Sequence, residues 1–141
     1  SIYVQQRRRL LGLAAAITLD PGAAEEILHD AFVGLQRHAL QVDNPEGYLQ
    51  RSVINLAINR VRRRKVAAAH PPPPPPVASS PEIDETWAVV QRLPVQQRAV
   101  VVLRYWDDMT VEGIAETLGW PLGSVKSTLH RALRRLEVEL R

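Results

Sequence analysis

The chain has 141 residues, 45% of them apolar and 5% aromatic, enough for one ordinary domain or two small ones. Lys plus Arg number 18 against 15 Asp plus Glu, and a formal charge of +3 names no partner by itself. Cysteine is absent, which excludes disulfides, zinc ribbons, iron–sulfur clusters and thiol catalysis and fits a reducing cytosol. No apolar run approaches the roughly 18 residues needed to span a bilayer, so no membrane insertion is expected. No signal-peptide pattern opens the chain, and Ser1 in place of Met suggests a trimmed or renumbered start.

In chain order, everything outside one proline-rich stretch predicts helix. Residues 3–18 place Leu10, Leu13, Ala14 and Ile17 at helical spacing, and Asp20-Pro21-Gly22 ends that helix. Residues 22–38 put Ile27, Leu28, Ala31, Phe32 and Leu35 on one face, with Glu25, Glu26 and Asp30 off it. Glu25 and Glu26 also suit the positive end of the helix dipole. Asp43-Asn44-Pro45 predicts a turn with a cap. Residues 46–65 form a third helix with Leu49, Val53, Leu56 and Ala57 as its buried stripe. Arg51, Asn55, Asn59 and Arg62 then share an exposed face. Asparagine is a middling helix former, so two on one stripe need a reason. The bland reason is a solvated polar face; the run Arg60, Arg62, Arg63, Arg64, Lys65 favours donors aimed at nucleic acid.

Six of the 11 prolines form Pro71–Pro76. Proline lacks the amide donor and fixes φ, so this stretch predicts a semi-rigid polyproline II spacer. The expected division is one helical domain over 1–66, a tether over 67–81 and a second helical domain over 82–141. The charge divides with it: ten basic residues face six acids in 1–65, and eight face nine in 82–141. Each half ends in a basic segment.

After the tether, Ile83, Trp87, Val90 and Leu93 lie on one face, and Pro94 opens a helix running to about Trp106. That helix buries members of Ala99, Val100, Leu103 and Tyr105. Thr110 caps the next helix, with Glu112 in its first turn and Val111, Ile114, Ala115 and Leu118 buried. Gly119 ends it, and Pro121 opens the last helix. Leu122, Val125, Leu129, Leu133, Leu136 and Leu140 recur along that helix as a core or interface stripe.

Residues 110–135 therefore read as a helix-turn-helix. Its second helix has an exposed face of Ser124, Lys126, Ser127, Thr128, His130, Arg131 and Arg134. A helix entering the major groove needs short hydroxyls near its amino end and long cations further along, where they reach bases and phosphates. Many helix pairs with Gly in the turn are only packing units, and that reading stands beside the functional one.

Larger blocks resemble a known family. LPVQQRAVVVLRYW (93–106), TVEGIAETLG (110–119) and GSVKSTLHRAL (123–133) resemble region four of extracytoplasmic-function sigma factors of bacterial RNA polymerase. AEEILHDAF (24–32) is similar to the clamp-binding helix of region two. PEGYL (45–49), with Asn55-Leu56-Ala57 and Arg60–Arg64, is similar to the promoter-melting segment. The resemblance covers nearly the whole chain in the family's order. It implies an all-α protein in which a region 2 helical bundle and a region 4 helix-turn-helix are joined by a Pro-rich linker.

The resemblance also implies roles. Glu25, Glu26, Leu28, His29 and Phe32 would dock on the clamp helices of polymerase core. Asn44, Tyr48, Arg51, Asn55 and Asn59 would capture unstacked bases of the melted promoter, with Arg60, Arg62, Arg63 and Arg64 on phosphates. Ser124, Lys126, Ser127, Thr128, His130, Arg131 and Arg134 would bind the upstream promoter element. The first helices of region four would meet the flap, and the linker would thread toward the RNA exit path. An anti-sigma factor is a further partner, and the cytoplasm is the implied location. The chain departs from the family at His29, where Gln is frequent, and at Thr128, where Arg is common. It departs again at Trp120-Pro121, where a small polar residue is usual.

The four histidines lie far apart with no carboxylates at ligand spacing, and there is no glycine-rich phosphate loop or nucleophile–base pair. No metal, cofactor or catalytic residue is expected. Rival readings are an autonomous helix-turn-helix regulator, dimeric through the 122–140 leucines and binding DNA without polymerase, and a module that sequesters another regulator.

Overall fold

A computed structural model describes the backbone of residues 2–67 and 81–140, with side chains over 4–64 and 85–140. The expected polyproline spacer lies outside the described residues. The chain divides into two compact units between Pro73 and Pro74.

The first unit is three mutually packed helices, α1 (Ile2–Thr18), α2 (Pro21–Arg37) and α3 (Pro45–Ala67), with a short 3-10 turn at Ala39–Gln41. Local chemistry sets the joints. Thr18 folds its hydroxyl back onto the Ala14 carbonyl at 2.8 Å, and Leu19 turns the chain at φ 58°. Asp20 then caps α2, its carboxylate accepting from the Gly22 and Ala23 amides at 3.0 and 3.2 Å. Pro21 sits at the helix start, where a missing N–H costs nothing. Asn44 caps α3 in the same way, accepting from the Gly47 amide at 3.1 Å.

The predicted stripe of α1 is buried at all four positions. In α2 the buried residues are Ala23, Ala24, Ile27, Leu28 and Ala31. Leu28 was expected on a docking face; at 2% exposure it belongs to the core instead. The reason is that α2 packs against both α1 and α3, so its buried arc is wider than one stripe. The same holds for α3. Ile54, Ile58 and Val61 join Leu49, Val53 and Ala57 in the core, while Leu56 is only half-buried.

The second unit contains α4 (Pro81–Arg92), α5 (Val95–Val101), α6 (Val111–Leu118) and α7 (Leu122–Glu139). Helix α5 continues as a π-helical turn over Val102–Trp106. Wider backbone bonds mark that turn, from the Asp107 amide to the Val102 carbonyl at 3.2 Å and from the Met109 amide to Leu103 at 3.0 Å. A π-turn slips the register of the side chains that follow. Tyr105, expected as a candidate for burial, is consequently 51% exposed, while Ala99, Val100 and Leu103 are core. Trp106 is half exposed and meets Trp87 edge-on, with ring centroids 5.9 Å apart.

Thr110 caps α6 as expected, its hydroxyl accepting from the Gly113 amide at 3.0 Å. Gly119 ends the helix at φ 71°, where the Trp120 amide returns to the Ala115 carbonyl at 3.0 Å. Pro121 opens α7 without a side-chain cap. The buried line of α7 is Val125, Thr128, Ala132 and Leu136. It is rotated from the leucine stripe: Leu122, Leu133 and Leu140 are exposed, and Leu129 is half-buried. Thr128 and Ala132 are small, which suits the side of α7 that packs on α5 and α6.

One buried charge organises this unit. Arg98 on α5 is 5% exposed, and its guanidinium donates to the Leu93 carbonyl at 2.9 Å and the Gln91 carbonyl at 3.3 Å. It thus satisfies orphan carbonyls at the end of α4, where the helix dipole also favours a cation. A second tie closes α4 onto α7: Arg92 bonds Glu139 at 2.8 Å, and Arg135 adds a contact at 3.7 Å.

The chain's three tryptophans (Trp87, Trp106 and Trp120) all lie in the second unit, so their emission reports its unfolding alone. Arg98→Ala removes charge-assisted bonds and strands buried carbonyls, a loss of about 2–4 kcal/mol. Denaturant unfolding followed by tryptophan fluorescence will show that loss, with the helical signal of the first unit unmoved. The hydrogen bond from Arg92, reinforced by the charges of Arg92 and Arg135, holds the Glu139 carboxyl below its ordinary value of 4.5. A depressed native pKa contributes stability above the unfolded value that disappears as pH falls through the native one. Tryptophan-monitored stability is therefore expected to decline on the acid side less steeply in Glu139→Gln than in the parent.

Candidate nucleic-acid interface

The outward face of α3 carries the first candidate surface. Asn44 stands at its cap, and Tyr48, Arg51, Asn55 and Asn59 follow at three- and four-residue steps. These residues line two adjoining recesses. One, of about 440 Å³, is walled by Tyr48, Arg51, Ser52, Asn55, Leu56 and Asn59 of α3 together with Asp30 and Ala31 of α2. The other, of about 450 Å³, lies between the start of α3 and the preceding turn, with His38, Gln41, Val42, Asp43, Asn44, Tyr48 and Arg51 around it. Tyr48 and Arg51 border both.

The surface is built from an aromatic ring, amides and a guanidinium. Arg51 and Asn59 are exposed, Tyr48 and Asn55 half-buried. Asn55 donates its amide to the Arg51 carbonyl at 2.8 Å, which fixes the side chain along the helix. Two glycines keep the walls in place. A Cβ at Gly34 would stand 2.9 Å from the Tyr48 hydroxyl, and one at Gly47 would stand 2.8 Å from the Asn44 amide nitrogen.

The arginines beyond Asn59 separate into two kinds. Arg60 pairs with Glu26 at 3.1 Å. Arg64 contacts Asp20 at 3.6 Å and donates to the Thr18 carbonyl at 2.8 Å. Both were expected on phosphates; in the structure each also ties α3 to the other helices. Arg62 and Arg63 point to solvent. On α2, Glu25 and His29 are exposed, Glu25 also meeting Arg7 at 3.5 Å, and Phe32 is half-buried.

The second candidate surface is α7. Ser124, Lys126, Ser127, His130, Arg131 and Arg134 are exposed. Thr128, expected among them, is 6% exposed and accepts from the Arg131 guanidinium at 3.3 Å. It therefore orients Arg131 from beneath rather than presenting itself. The Ser127 hydroxyl bonds the Ser124 carbonyl at 3.2 Å.

Sequence reasoning missed Asp30, His38, Gln41 and Ser52 as recess walls. No local signal could have found the first three, since only the packing of α2 and the following turn against α3 brings them there. Ser52 sits next to Arg51 and was legible in principle. Among the described residues no cluster of three or more His, Asp or Glu is placed to hold a metal ion. Nor is any described helix long and apolar enough to cross a membrane.

The family model for Sigma-70 region 2 matches residues 2–66, and that for Sigma-70 region 4 matches residues 83–136. An RNA polymerase sigma-E factor of Streptomyces avermitilis is 37% identical, with 98% of this chain and 83% of that one aligned. An ECF RNA polymerase sigma factor, SigK, of Mycolicibacterium vanbaalenii is 27% identical over 96% of this chain and 78% of its own length. Among solved structures, the fold matches the Bartonella quintana sigma factor RpoE, crystallised in complex with the anti-sigma factor NepR. The TM-score is 0.74 at 19% identity, over 97% of this chain and 92% of that one. A three-helix unit and a helix-turn-helix unit, in that order and matched along their length, place this chain among the extracytoplasmic-function (ECF) sigma factors of the sigma-70 family, non-catalytic subunits that act with RNA polymerase in transcription initiation.

Proposed function

We propose that the two recesses on α3 hold unstacked bases of the non-template strand while α7 reads the upstream element of the same promoter. The observation that carries this reading is the convergence of Asn44, Tyr48, Arg51, Asn55 and Asn59 on adjoining recesses that share one aromatic ring. Single strands are held by stacking on aromatics beside cationic grooves, and extruded bases are read along their edges. Arg62 and Arg63 take phosphates; Arg60 and Arg64 hold α3 in place and act on DNA only through it. On α7, Lys126, His130, Arg131 and Arg134 contact bases and phosphates, with Ser124 and Ser127 near the amino end. Glu25, Glu26, His29 and Phe32 meet the clamp helices of polymerase core, and the first helices of the second unit meet the flap.

The segment between α3 and α4 tethers the first unit to the second. Joining two weak contacts raises the effective concentration of the second, so neither needs high affinity alone. The protein works in the cytoplasm, and an anti-sigma factor covers part of its surface when transcription is not required.

Lys126→Ala and Arg131→Ala are each expected to weaken closed-complex formation about tenfold by loss of one upstream contact. Core binding, followed by co-elution, stays unchanged; loss of core binding with promoter recognition intact would contradict the assignment. Asn55→Ala with Asn59→Ala is expected to reduce permanganate reactivity of melted thymines far more than closed-complex occupancy. Undiminished melting in that double variant removes the strand-capturing role from α3.

A further inference from the structure

Gly34 lies in the last turn-and-a-half of α2, at a position where alanine would make the better helix. A Cβ there would fall 2.9 Å from the Tyr48 hydroxyl oxygen and 3.9 Å from Cε1 and Cζ of the same ring. The first distance is well inside van der Waals contact; the other two are ordinary packing distances. The only atom that conflicts with a methyl group is therefore the hydroxyl, at the far end of a half-buried side chain. Helices α2 and α3 need not separate to relieve it. The cheaper response is for the ring to swing, and that ring is, with Arg51, a wall common to both recesses.

We infer that Gly34 is a positioning residue for strand capture: by lacking a side chain it seats the Tyr48 ring between the two recesses of α3. The inference rests on the strand-capturing role proposed above for Tyr48. It makes the vacant space on α2 part of the specificity surface, although Gly34 itself touches no DNA. It also explains a residue that lowers helix propensity without forming a turn or adopting a positive φ.

The test uses the full chain assembled with polymerase core. The probe is a fluorescein-labelled single-stranded oligonucleotide from the non-template strand of a promoter that the holoenzyme transcribes. Gly34→Ala is expected to weaken anisotropy-detected binding about tenfold, the equivalent of one base stack, while the thermal midpoint of the protein stays level or rises. Introduced into a Tyr48→Phe background, which lacks the conflicting oxygen, the same alanine changes binding no further. Tyr48→Ala weakens binding at least as much as Gly34→Ala. If Tyr48→Ala binds like the parent, the strand-capturing role fails and this inference fails with it. If Tyr48→Ala is defective but Gly34→Ala is not, the role stands and the inference is overturned. An equal loss from Gly34→Ala in both backgrounds also overturns it, because room for the hydroxyl would not be what Gly34 provides. Should the alanine destabilise the fold, the same cycle is read as melting temperature, and a loss persisting in the Tyr48→Phe background rejects the inference.

Discussion

Helix α3 is gripped from two sides, and that grip decides what its remaining face presents. Packing against α1 and α2 buries Val53, Ile54, Ala57, Ile58 and Val61, a wider arc than one helical stripe. Each of the valines and isoleucines contributes about 1.5–3 kcal/mol when fully withdrawn from water. Two arginines complete the grip at its edges: Arg60 reaches Glu26, and Arg64 reaches Asp20 and the Thr18 carbonyl. Exposed ion pairs of this kind are individually weak, so the buried arc is what sets the rotation of α3. With that rotation set, Tyr48, Arg51, Asn55 and Asn59 share one outward line, and Asp30 and Ala31 of α2 and the residues around the 3-10 turn supply the opposing walls.

The basic run at the end of α3 thereby has two functions in one stretch of sequence. Arg60 and Arg64, four residues apart, tie to the bundle, while Arg62 and Arg63 between them face solvent, following the helical period rather than the count of charges. The same division of labour recurs on α7. Thr128 and Ala132 give α7 a small-residue side, Val125 and Leu136 anchor it, and the cations rise on the opposite side. Thr128 in particular is a support: its hydroxyl accepts from Arg131 and limits where that guanidinium swings.

The second unit depends on Arg98 in a comparable way. Its buried guanidinium closes the carboxyl end of α4 on the start of α5, and the Arg92–Glu139 bond closes α4 on the end of α7. The first is shielded from salt and solvent, whereas the second is exposed and subject to pH. Helix α7 is therefore held by a permanent core contact network along its length and by a titratable one at its end.

Much of this protein was decided by local chemistry and so was readable from the chain alone. Asp20, Asn44 and Thr110 cap helices because their side-chain oxygens reach amides two or three residues on, and Gly119 ends α6 because φ 71° suits a residue without Cβ. The helical stripe of α1, the two basic segments and the family blocks were legible for the same reason: their signal lies within a few turns of sequence. Tertiary structure alone decided which face of each helix was inner. It buried Leu28 and Thr128, turned Tyr105 outward through a π-turn, tied down Arg60 and Arg64, and set Gly34 against Tyr48. Those outcomes depend on partners brought together from distant parts of the chain, and the three- or four-residue period of one helix carries no information about its neighbours.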